Sequence, residues 1–181
     1  MSPEYQGSTR DAVRIFAVLL AMIMTVGAWG YWPPQTLPDD VHVDRVVVRK
    51  AARTLELIRD GAVIARYRVS LGRHPVGPKQ SLGDGRTPEG DYVIDYHNPN
   101  SHYHRSLHIS YPSTNDTEKA RARGLEPGGM IMIHGLSDRL SNSGRFHTFM
   151  NWTDGCIAVT NSEIEQIFDL VQDGTPIRIQ P

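Results

Sequence analysis

The sequence has only one cysteine, Cys156, and almost no net charge. A single cysteine cannot form a disulfide within the chain, so the 181 residues fold without such a cross-link. A formal net charge of −1 gives no reason to expect nucleic acid or another polyanion as a partner. Internal repeats and low-complexity stretches are also lacking. The length fits one domain with a short appendage, and the lone thiol is either an inert buried group or a reactive one.

Glycine, proline and β-branched residues are frequent, which favours a loop-rich β protein over a helical bundle. Residues 41–50 alternate and predict a strand. The alternating runs 53–59 and 62–69 flank Asp60-Gly61, a strong signal for a β-hairpin. Further strands are predicted at 91–95, 106–111, 130–133, 157–159 and 175–179.

One helix is predicted near the C-terminus. Thr160 and Glu163 match a capping box. An apolar face then repeats at helical spacing, and Gly174 is expected just beyond the end of the helix. Residues 70–90 are too rich in glycine and proline for a regular element, with a tight turn expected at 87–90. Residues 112–129 are expected to form a long polar loop, part of a substrate rim. The apolar face of the helix predicted near the C-terminus comprises Ile164, Ile167, Phe168 and Val171.

The N-terminal segment contains an uncharged run of eighteen residues, 15–32, preceded by Arg10 and Arg14. This pattern predicts an uncleaved transmembrane signal anchor with residues 1–14 in the cytoplasm. A cleaved signal peptide ending at Ala28 and a buried core helix are the alternatives. Either export route would place the rest of the chain in the cell envelope. A proline-containing linker, 33–42, would then precede a catalytic domain at 43–181.

Cys156 and His134 are the candidate catalytic pair. Cys156 follows Gly155 where a turn meets a strand, and His134 ends an apolar run, so we interpret them as lying on neighbouring strands. A thiol becomes a nucleophile when a base or a positive field is near it, and Gly155 could help to orient N–H groups toward an oxyanion. The alternatives are a small buried cysteine and a histidine satisfied at a strand end. Export favours the reactive interpretation, because an unused thiol is a liability in an oxidising compartment.

Other histidines suggest a second kind of site. His102 and His104, if two apart on one strand, would share a face and could bind zinc together with His108. Neither a helical His-Glu-x-x-His motif nor paired cysteines support a metal site, so a polar strand rim is the preferred interpretation. His147, in the loop before Trp152, is expected to pack at the rim of the site.

Three motifs together resemble a known family. In order along the chain, the motifs are Thr87-Pro88-Glu89-Gly90-x-Tyr92, His134-Gly135 and Gly155-Cys156-Ile157-Ala158-Val159-Thr160-Asn161. They resemble the L,D-transpeptidase (YkuD-type) catalytic domain of bacterial cell-wall enzymes. The resemblance covers nearly everything after the linker.

The resemblance implies a mainly β, β-sandwich-like domain with one α-helix in its C-terminal region. It implies that Cys156 is the nucleophile, that His134 is the acid and base, and that the backbone oxygen of Gly135 orients the imidazole. The implied substrates are peptidoglycan stem peptides, which would form a thioester on Cys156 that an amine or water then resolves. No cofactor is implied.

Position 154 departs from the commonest pattern of this family. Many members carry a second histidine two residues before the nucleophile, where this chain has Asp154. A carboxylate beside a thiol raises the pKa of the thiol, so we expect Asp154 to point away, to contact substrate amines, or to pair with an arginine such as Arg139 or Arg145. Trp152, Thr153 and Arg145 are further candidates for contacts with the substrate.

The leading hypothesis is therefore a single-pass inner-membrane protein with a cysteine acyltransferase domain in the periplasm. A hydrolytic relative that cleaves stem-peptide or lipoprotein–peptidoglycan links would use the same site. A non-catalytic wall-binding module and a metal-dependent hydrolase built on His102 and His104 are the alternatives from other classes. No feature of the sequence indicates an oligomer, so a monomer is the default expectation.

Overall fold

The computed structural model describes residues 8–30, 36–38 and 41–181, and the chain divides into two compact units between residues 32 and 33. The first unit contains helix α1, Ser8–Gly30. Among the described residues, no helix combines the length and apolarity needed to cross a membrane. The predicted anchor over 15–32 is thus not confirmed. The last two residues of this predicted anchor, part of the predicted cytoplasmic end and half of the predicted linker lie outside the described residues.

The second unit is built on an eight-stranded sheet, which confirms the mainly β prediction. The strand order is β3-β2-β1-β8-β4-β5-β6-β7. Most neighbours are antiparallel, whereas β1 with β8 and β6 with β7 are parallel. The strands are β1 Arg45–Arg49, β2 Thr54–Arg59, β3 Ala62–Arg68, β4 Gly90–Ser101, β5 His104–Ile109, β6 Met132–His134, β7 Ile157–Ala158 and β8 Pro176–Gln180.

Strand β4 joins two halves of this sheet. Its first residues pair with β8, and its later residues pair with β5. Buried side chains from all eight strands form a single hydrophobic core, as expected for a sandwich-like domain. Two isolated bridges, Ser70 with Ala158 and Gly72 with Thr153, connect the segment after β3 to the region around β7. These bridges bring the loop after β3 next to the candidate nucleophile.

The predicted hairpin and capped helix are both present. Asp60 and Gly61 connect β2 and β3 with φ values of 51° and 74°, and two consecutive positive φ angles are what a type I′ turn requires. Helix α3, Asn161–Leu170, begins after Thr160, whose side chain accepts from the Glu163 N–H in a reciprocal capping box.

Two helical segments were not predicted. Helix α2, Thr114–Arg121, lies in the expected polar loop, and a 3-10 segment spans Ser141–Phe149. Helix α2 has a capping box between Ser113 and Asp116, but it buries only Ala120. Without an apolar periodicity the sequence carried too weak a signal for a helix.

The segment 70–90 is irregular, as predicted, but a buried lysine fixes it. The Lys50 Nζ donates to the carbonyl oxygens of Gly77 at 2.7 Å and Thr87 at 2.9 Å, and to Glu89 Oε1 at 2.7 Å. Thr87 to Glu89 forms no turn, so the predicted tight turn at 87–90 is wrong. The Thr87 hydroxyl oxygen instead accepts from the Gly72 N–H at 3.0 Å, which binds two distant parts of this segment together.

Candidate active site

The candidate base and nucleophile lie on adjacent parallel strands. His134 ends β6 and pairs with Ala158 of β7, and Cys156 comes immediately before β7. Because side chains alternate along a strand, Cys156 and Ala158 point to the same face. A two-residue offset along neighbouring strands places the Cα atoms of His134 and Cys156 roughly 8 Å apart. The two side chains therefore project from one face of the sheet.

His134 is held as a neutral base. Its side chain is buried, and its Nδ1 lies 2.7 Å from the carbonyl oxygen of Gly135. A carbonyl oxygen only accepts, so Nδ1 carries the proton and Nε2 keeps a lone pair. Burial lowers the pKa of His134 to about 4, against the opposing effect of the Gly135 hydrogen bond. At neutral pH the imidazole is uncharged and able to take a proton.

Gly135 and Asn161 fix the end of the histidine strand. A Cβ atom at Gly135 would lie 2.8 Å from both Asn161 Oδ1 and Ile164 Cγ2, so any larger residue would displace α3 from β6. Asn161 Oδ1 accepts from the Leu136 N–H at 2.7 Å. At the end of the cysteine motif, Thr160 thus caps α3 and Asn161 holds the strand that carries His134.

The Cys156 thiol is partly exposed and protonated at neutral pH. Its Sγ donates to the Met130 carbonyl oxygen at 3.6 Å. Burial raises the pKa of the Cys156 thiol, and the carboxylate of Asp154 raises it further, whereas the Met132 backbone and Lys79 oppose the shift. A thiol with a raised pKa needs a base at the moment of attack.

Gly155 and Thr153 shape the turn before the nucleophile. Gly155 has a φ of +132°, and a Cβ atom there would lie 2.6 Å from the Arg86 carbonyl oxygen. The Gly155 N–H donates to Thr153 Oγ1 at 3.2 Å, and this hydroxyl donates to the Cys156 carbonyl oxygen at 2.7 Å. The N–H of Gly155 is therefore engaged inside the turn. The Thr153 side chain is buried and its hydroxyl braces this turn, while its contact with substrate stays a prediction.

Asp154 is exposed and forms an ion pair with Arg73. Among the described residues, neither Arg139 nor Arg145 is its partner, so the predicted pairing with an arginine holds but the named arginines were wrong. Arg145 Nε lies 3.1 Å from Oε1 of Glu163, which is fully buried at the start of α3. Arg145 therefore supports the helix and does not reach the substrate side through this contact.

Aromatic rings surround His134. The ring centroid of Tyr103 lies 4.4 Å from that of His134, and Trp152 lies 5.8 Å away in an edge-on arrangement. The ring centroids of His147 and Trp152 lie 6.4 Å apart. His147 is only 5% exposed, so the prediction that it packs at the rim of the site is wrong. The hydroxyl of Ser70 donates to the His147 carbonyl oxygen at 2.8 Å and lies 3.0 Å from its Nδ1. Burial first, and the neighbouring His134 second, lower the pKa of His147 to about 4.

The three histidines considered for metal binding do not share a strand. His102 lies in the turn between β4 and β5, whereas His104 and His108 belong to β5. His104 Nε2 lies 2.5 Å from Glu165 Oε1, and His108 Nδ1 lies 2.6 Å from Asp95 Oδ1. Over residues 8–30, 36–38 and 41–181, the structure contains no cluster of three or more His, Cys, Asp or Glu side chains suited to a metal ion.

The sequence did not identify Arg73 or Tyr103 as neighbours of the site. Arg73 reaches Asp154 because its N–H donates to the Thr153 carbonyl oxygen at 3.0 Å. Tyr103 reaches His134 from the turn between β4 and β5. Both contacts depend on pairings between segments far apart in sequence, which no local pattern encodes.

Comparisons with known proteins show that this chain is similar to members of one protein family. A model of the YkuD family, the L,D-transpeptidase catalytic domain, matches residues 43–179. YafK of Escherichia coli (strain K12), assigned to the L,D-transpeptidases, is 33% identical over 132 residues, covering 70% of this chain and 46% of YafK. YqjB of Bacillus subtilis (strain 168), assigned likewise, is 29% identical over 154 residues, covering 82% of this chain and 77% of YqjB.

A similar fold is found in a solved structure. The crystal structure of the helical cell shape determining protein Pgp2 from Campylobacter jejuni matches with a TM-score of 0.57 and 28% identity. The match covers 77% of this chain and 48% of Pgp2. The chain thus spans about half the length of YafK and of Pgp2.

Proposed function

The chain belongs to the YkuD family of L,D-transpeptidase catalytic domains, and from this premise we propose that it is a peptidoglycan-modifying cysteine acyltransferase. Cys156 attacks a carbonyl of a stem peptide and forms a thioester, which an amine acceptor then resolves. The observation that carries the proposal is the His134 imidazole, neutral and fixed by Gly135 in the tautomer with a free Nε2, on the strand beside the thiol.

The protonation states favour general-base catalysis over a resting ion pair. The pKa of His134 is lowered to about 4 and the pKa of Cys156 is raised, so the proton stays on sulfur until the substrate binds. His134 Nε2 takes this proton as the S–C bond forms, and later returns it to the departing amine. Nδ1 remains bound to the Gly135 carbonyl, which stabilises the imidazolium that forms transiently.

Resolution of the thioester decides between transferase and hydrolase. An amine acceptor gives a new cross-link, whereas water gives a shortened or released peptide by the same Cys156 and His134 steps. Asp154 supports the transferase in this proposal, because its exposed carboxylate, two residues from Cys156, can bind the ammonium of an incoming acceptor.

Muropeptide mass spectrometry tests the proposal. Purified sacculi would be incubated with the wild-type protein and with Cys156→Ala. We expect new cross-links that depend on Cys156. Shortened or released products would identify the hydrolytic relative, and products that are the same with both proteins would refute a cysteine enzyme.

We further propose that residues 1–32 deliver the catalytic domain to the cell envelope. The uncharged run at 15–32 and the two arginines before it support this. Retention as an inner-membrane anchor would leave the intact chain in the membrane fraction, whereas cleavage after Ala28 would yield a shorter protein in the periplasm. An intact mass measured after cell fractionation separates the two outcomes, and a full-length protein confined to the cytosol would overturn the proposal.

A further inference from the structure

An aromatic side chain covers the His134 imidazole. The ring centroids of Tyr103 and His134 lie 4.4 Å apart, and the two ring planes are tilted by 38°. Aromatic rings at this separation are in direct contact. His134 is only 3% exposed, whereas Tyr103 is 39% exposed. The phenol ring is therefore one of the groups that separate the imidazole from water.

The turn that carries Tyr103 lies directly against the end of the histidine strand. Tyr103 comes between β4 and β5, and its N–H donates to Ser101 Oγ at 3.1 Å. A Cβ atom at Gly135, the residue after β6, would lie 2.9 Å from the Tyr103 carbonyl oxygen. The absence of a side chain at Gly135 thus lets the turn approach β6 closely enough for the two rings to meet.

The residue after Tyr103 holds this turn in an uncommon backbone conformation. His104 has a φ of +72°, which few residues other than glycine adopt. Its Nε2 lies 2.5 Å from Oε1 of Glu165 on α3, and Arg105 binds the second oxygen of the same carboxylate at 2.9 Å. Such conformations persist where the surroundings fix them, and they concentrate at functional sites. Here His104 contacts α3 while Tyr103 contacts His134.

The cover over His134 matters because a general base has to be neutral before it can accept a proton. Burial is the main cause that lowers the pKa of His134 to about 4, and the hydrogen bond to Gly135 opposes it. The titratable groups around the imidazole are the Tyr103 phenol, Cys156 and His147. Burial raises the pKa of Cys156 and lowers that of His147 to about 4, so neither carries a charge at neutral pH. Burial therefore keeps the base neutral.

We propose that Tyr103 is a positioning residue for the reaction of Cys156, because its ring shields the His134 imidazole from water and fixes the plane of that imidazole. The contact is made by the aromatic ring, so the hydroxyl is dispensable for this role. The inference rests on the proposed function and adds a third side chain to the pair of Cys156 and His134. A phenyl ring can replace the phenol, whereas a smaller side chain cannot.

An NMR titration of the His134 imidazole tests the shielding without requiring activity. The variants are Tyr103→Phe, Tyr103→Leu and Tyr103→Ala. We expect the pKa of His134 to be the same in wild type and Tyr103→Phe, and to rise in Tyr103→Ala from about 4 toward the ordinary 6.5, because water then solvates the imidazolium. Tyr103→Leu should give a smaller rise. Tyr96→Ala is the matched control, since Tyr96 is an exposed tyrosine on β4, and it should leave this pKa unchanged.

The pH dependence of acylation tests the consequence for the reaction. The kcat/KM for acylation of Cys156 by a stem peptide would be followed by intact mass at pH 5 and at pH 8. Relative to wild type, Tyr103→Ala should lose roughly 4- to 10-fold more at pH 5 than at pH 8, because a protonated imidazole cannot take the thiol proton. A merely structural role would reduce the rate by the same factor at both pH values. Tyr103→Phe should follow the wild-type profile.

Three results would overturn the inference and leave the enzyme assignment intact. They are a pKa of His134 that is the same in Tyr103→Ala and wild type, an equal loss of rate at pH 5 and pH 8, and a loss in Tyr103→Phe as large as in Tyr103→Ala. Absence of acylation in wild type would instead refute the proposed function. In that case the NMR titration still decides whether Tyr103 shields His134.

Discussion

At the scale of single residues, the site depends on two groups that are both uncharged at neutral pH. The Cys156 thiol has a raised pKa and His134 has a lowered one, in both cases mainly through burial. This differs from a preformed thiolate–imidazolium pair, in which the cysteine pKa is lowered by a charged histidine. The distinction has a direct consequence for reactivity in the absence of substrate.

We predict that alkylation of Cys156 by iodoacetamide is slow at pH 7 and rises only as the pH passes 9. The reason is that iodoacetamide reacts with the thiolate, which a raised pKa keeps scarce at neutral pH. The measurement is the alkylation rate against pH, followed by intact mass, with Cys156→Ala as the blank. A plateau of fast alkylation between pH 5 and 7 would indicate a preformed ion pair and contradict the account.

Replacement of Asp154 by asparagine should lower the pKa of Cys156. The Asp154 carboxylate raises this pKa through its negative charge. The midpoint of the alkylation profile should therefore move to lower pH. Asp91→Asn, on the part of β4 that pairs with β8, should leave the midpoint where it is, because Asp91 is not among the charges that shift the pKa of Cys156. A shift to higher pH in Asp154→Asn would be inconsistent with the electrostatic role.

At the scale of elements, the turn before β7 and the loop after β3 form one structure. Gly155 lies against the Arg86 carbonyl oxygen, and the Gly72 N–H donates to the Thr87 hydroxyl oxygen. Lys50, which follows the last residue of β1, donates hydrogen bonds to the Thr87 carbonyl oxygen and to the Glu89 carboxylate. These contacts explain why the first motif, at 87–92, accompanies the cysteine motif although about 65 residues separate them. The first motif positions the loop that carries Arg73.

We predict that Gly155→Ala impairs both stability and activity. Its φ of +132° and the 2.6 Å approach of a Cβ to the Arg86 oxygen combine backbone strain with a clash against a carbonyl. The free energy of unfolding should fall by about 2–4 kcal/mol. Gly174→Ala is the matched control, because Gly174 also has a positive φ, +90°, but open space around its Cβ position. The measurement is chemical denaturation, and equal losses in the two variants would rule out the clash as the cause.

Lys50→Ala should loosen the loop after β3. The substitution removes three hydrogen bonds from a buried ammonium and leaves the carboxylate of Glu89 without that partner, at a cost of about 3–5 kcal/mol. Lys119, exposed on α2, provides a control substitution expected to change stability by less than about 0.5 kcal/mol. Hydrogen exchange would locate the effect, and unchanged protection of residues 70–90 would contradict this role.

Sequence patterns anticipated the elements whose determinants are local. The Asp60-Gly61 hairpin and the Thr160 capping box depend on a few consecutive residues, and both are present. Helix α2 was missed because it has no apolar periodicity and buries only Ala120. The burial of His147 was missed because it depends on contacts with distant segments such as Ser70. The same limit applies to the site. Cys156 and His134 could be named from motifs, whereas the Arg73 partner of Asp154 arises only from the bridge between Gly72 and Thr153.

At the scale of the whole molecule, the second unit has a single hydrophobic core that connects both halves of its sheet. His134 and His147 are both buried in this second unit. His134 and His147 both have a pKa lowered to about 4 from an ordinary value of 6.5. In the unfolded chain they would take up protons near pH 6.5, whereas in the folded protein they stay neutral until about pH 4. Their contribution to stability is therefore complete above pH 6.5 and is lost as the pH falls toward 4.

We predict that the free energy of unfolding decreases as the pH falls from 6.5 to 4, by up to about 3 kcal/mol for each histidine. His147→Gln should reduce this pH dependence. Denaturation curves at several pH values provide the measurement. A free energy of unfolding that stays constant or rises over this interval would show that the histidines are not buried in their neutral form.

In the proposed reaction, Cys156 forms a thioester with a stem peptide and His134 takes the thiol proton. Intact mass spectrometry of the full chain mixed with a stem peptide detects this thioester. We expect an adduct with the mass of the acyl fragment on wild type, none on Cys156→Ala, and an adduct that forms at least 100-fold more slowly on His134→Ala, as expected from the loss of a general base. An adduct of equal yield and rate on Cys156→Ala or on His134→Ala would refute the proposed reaction.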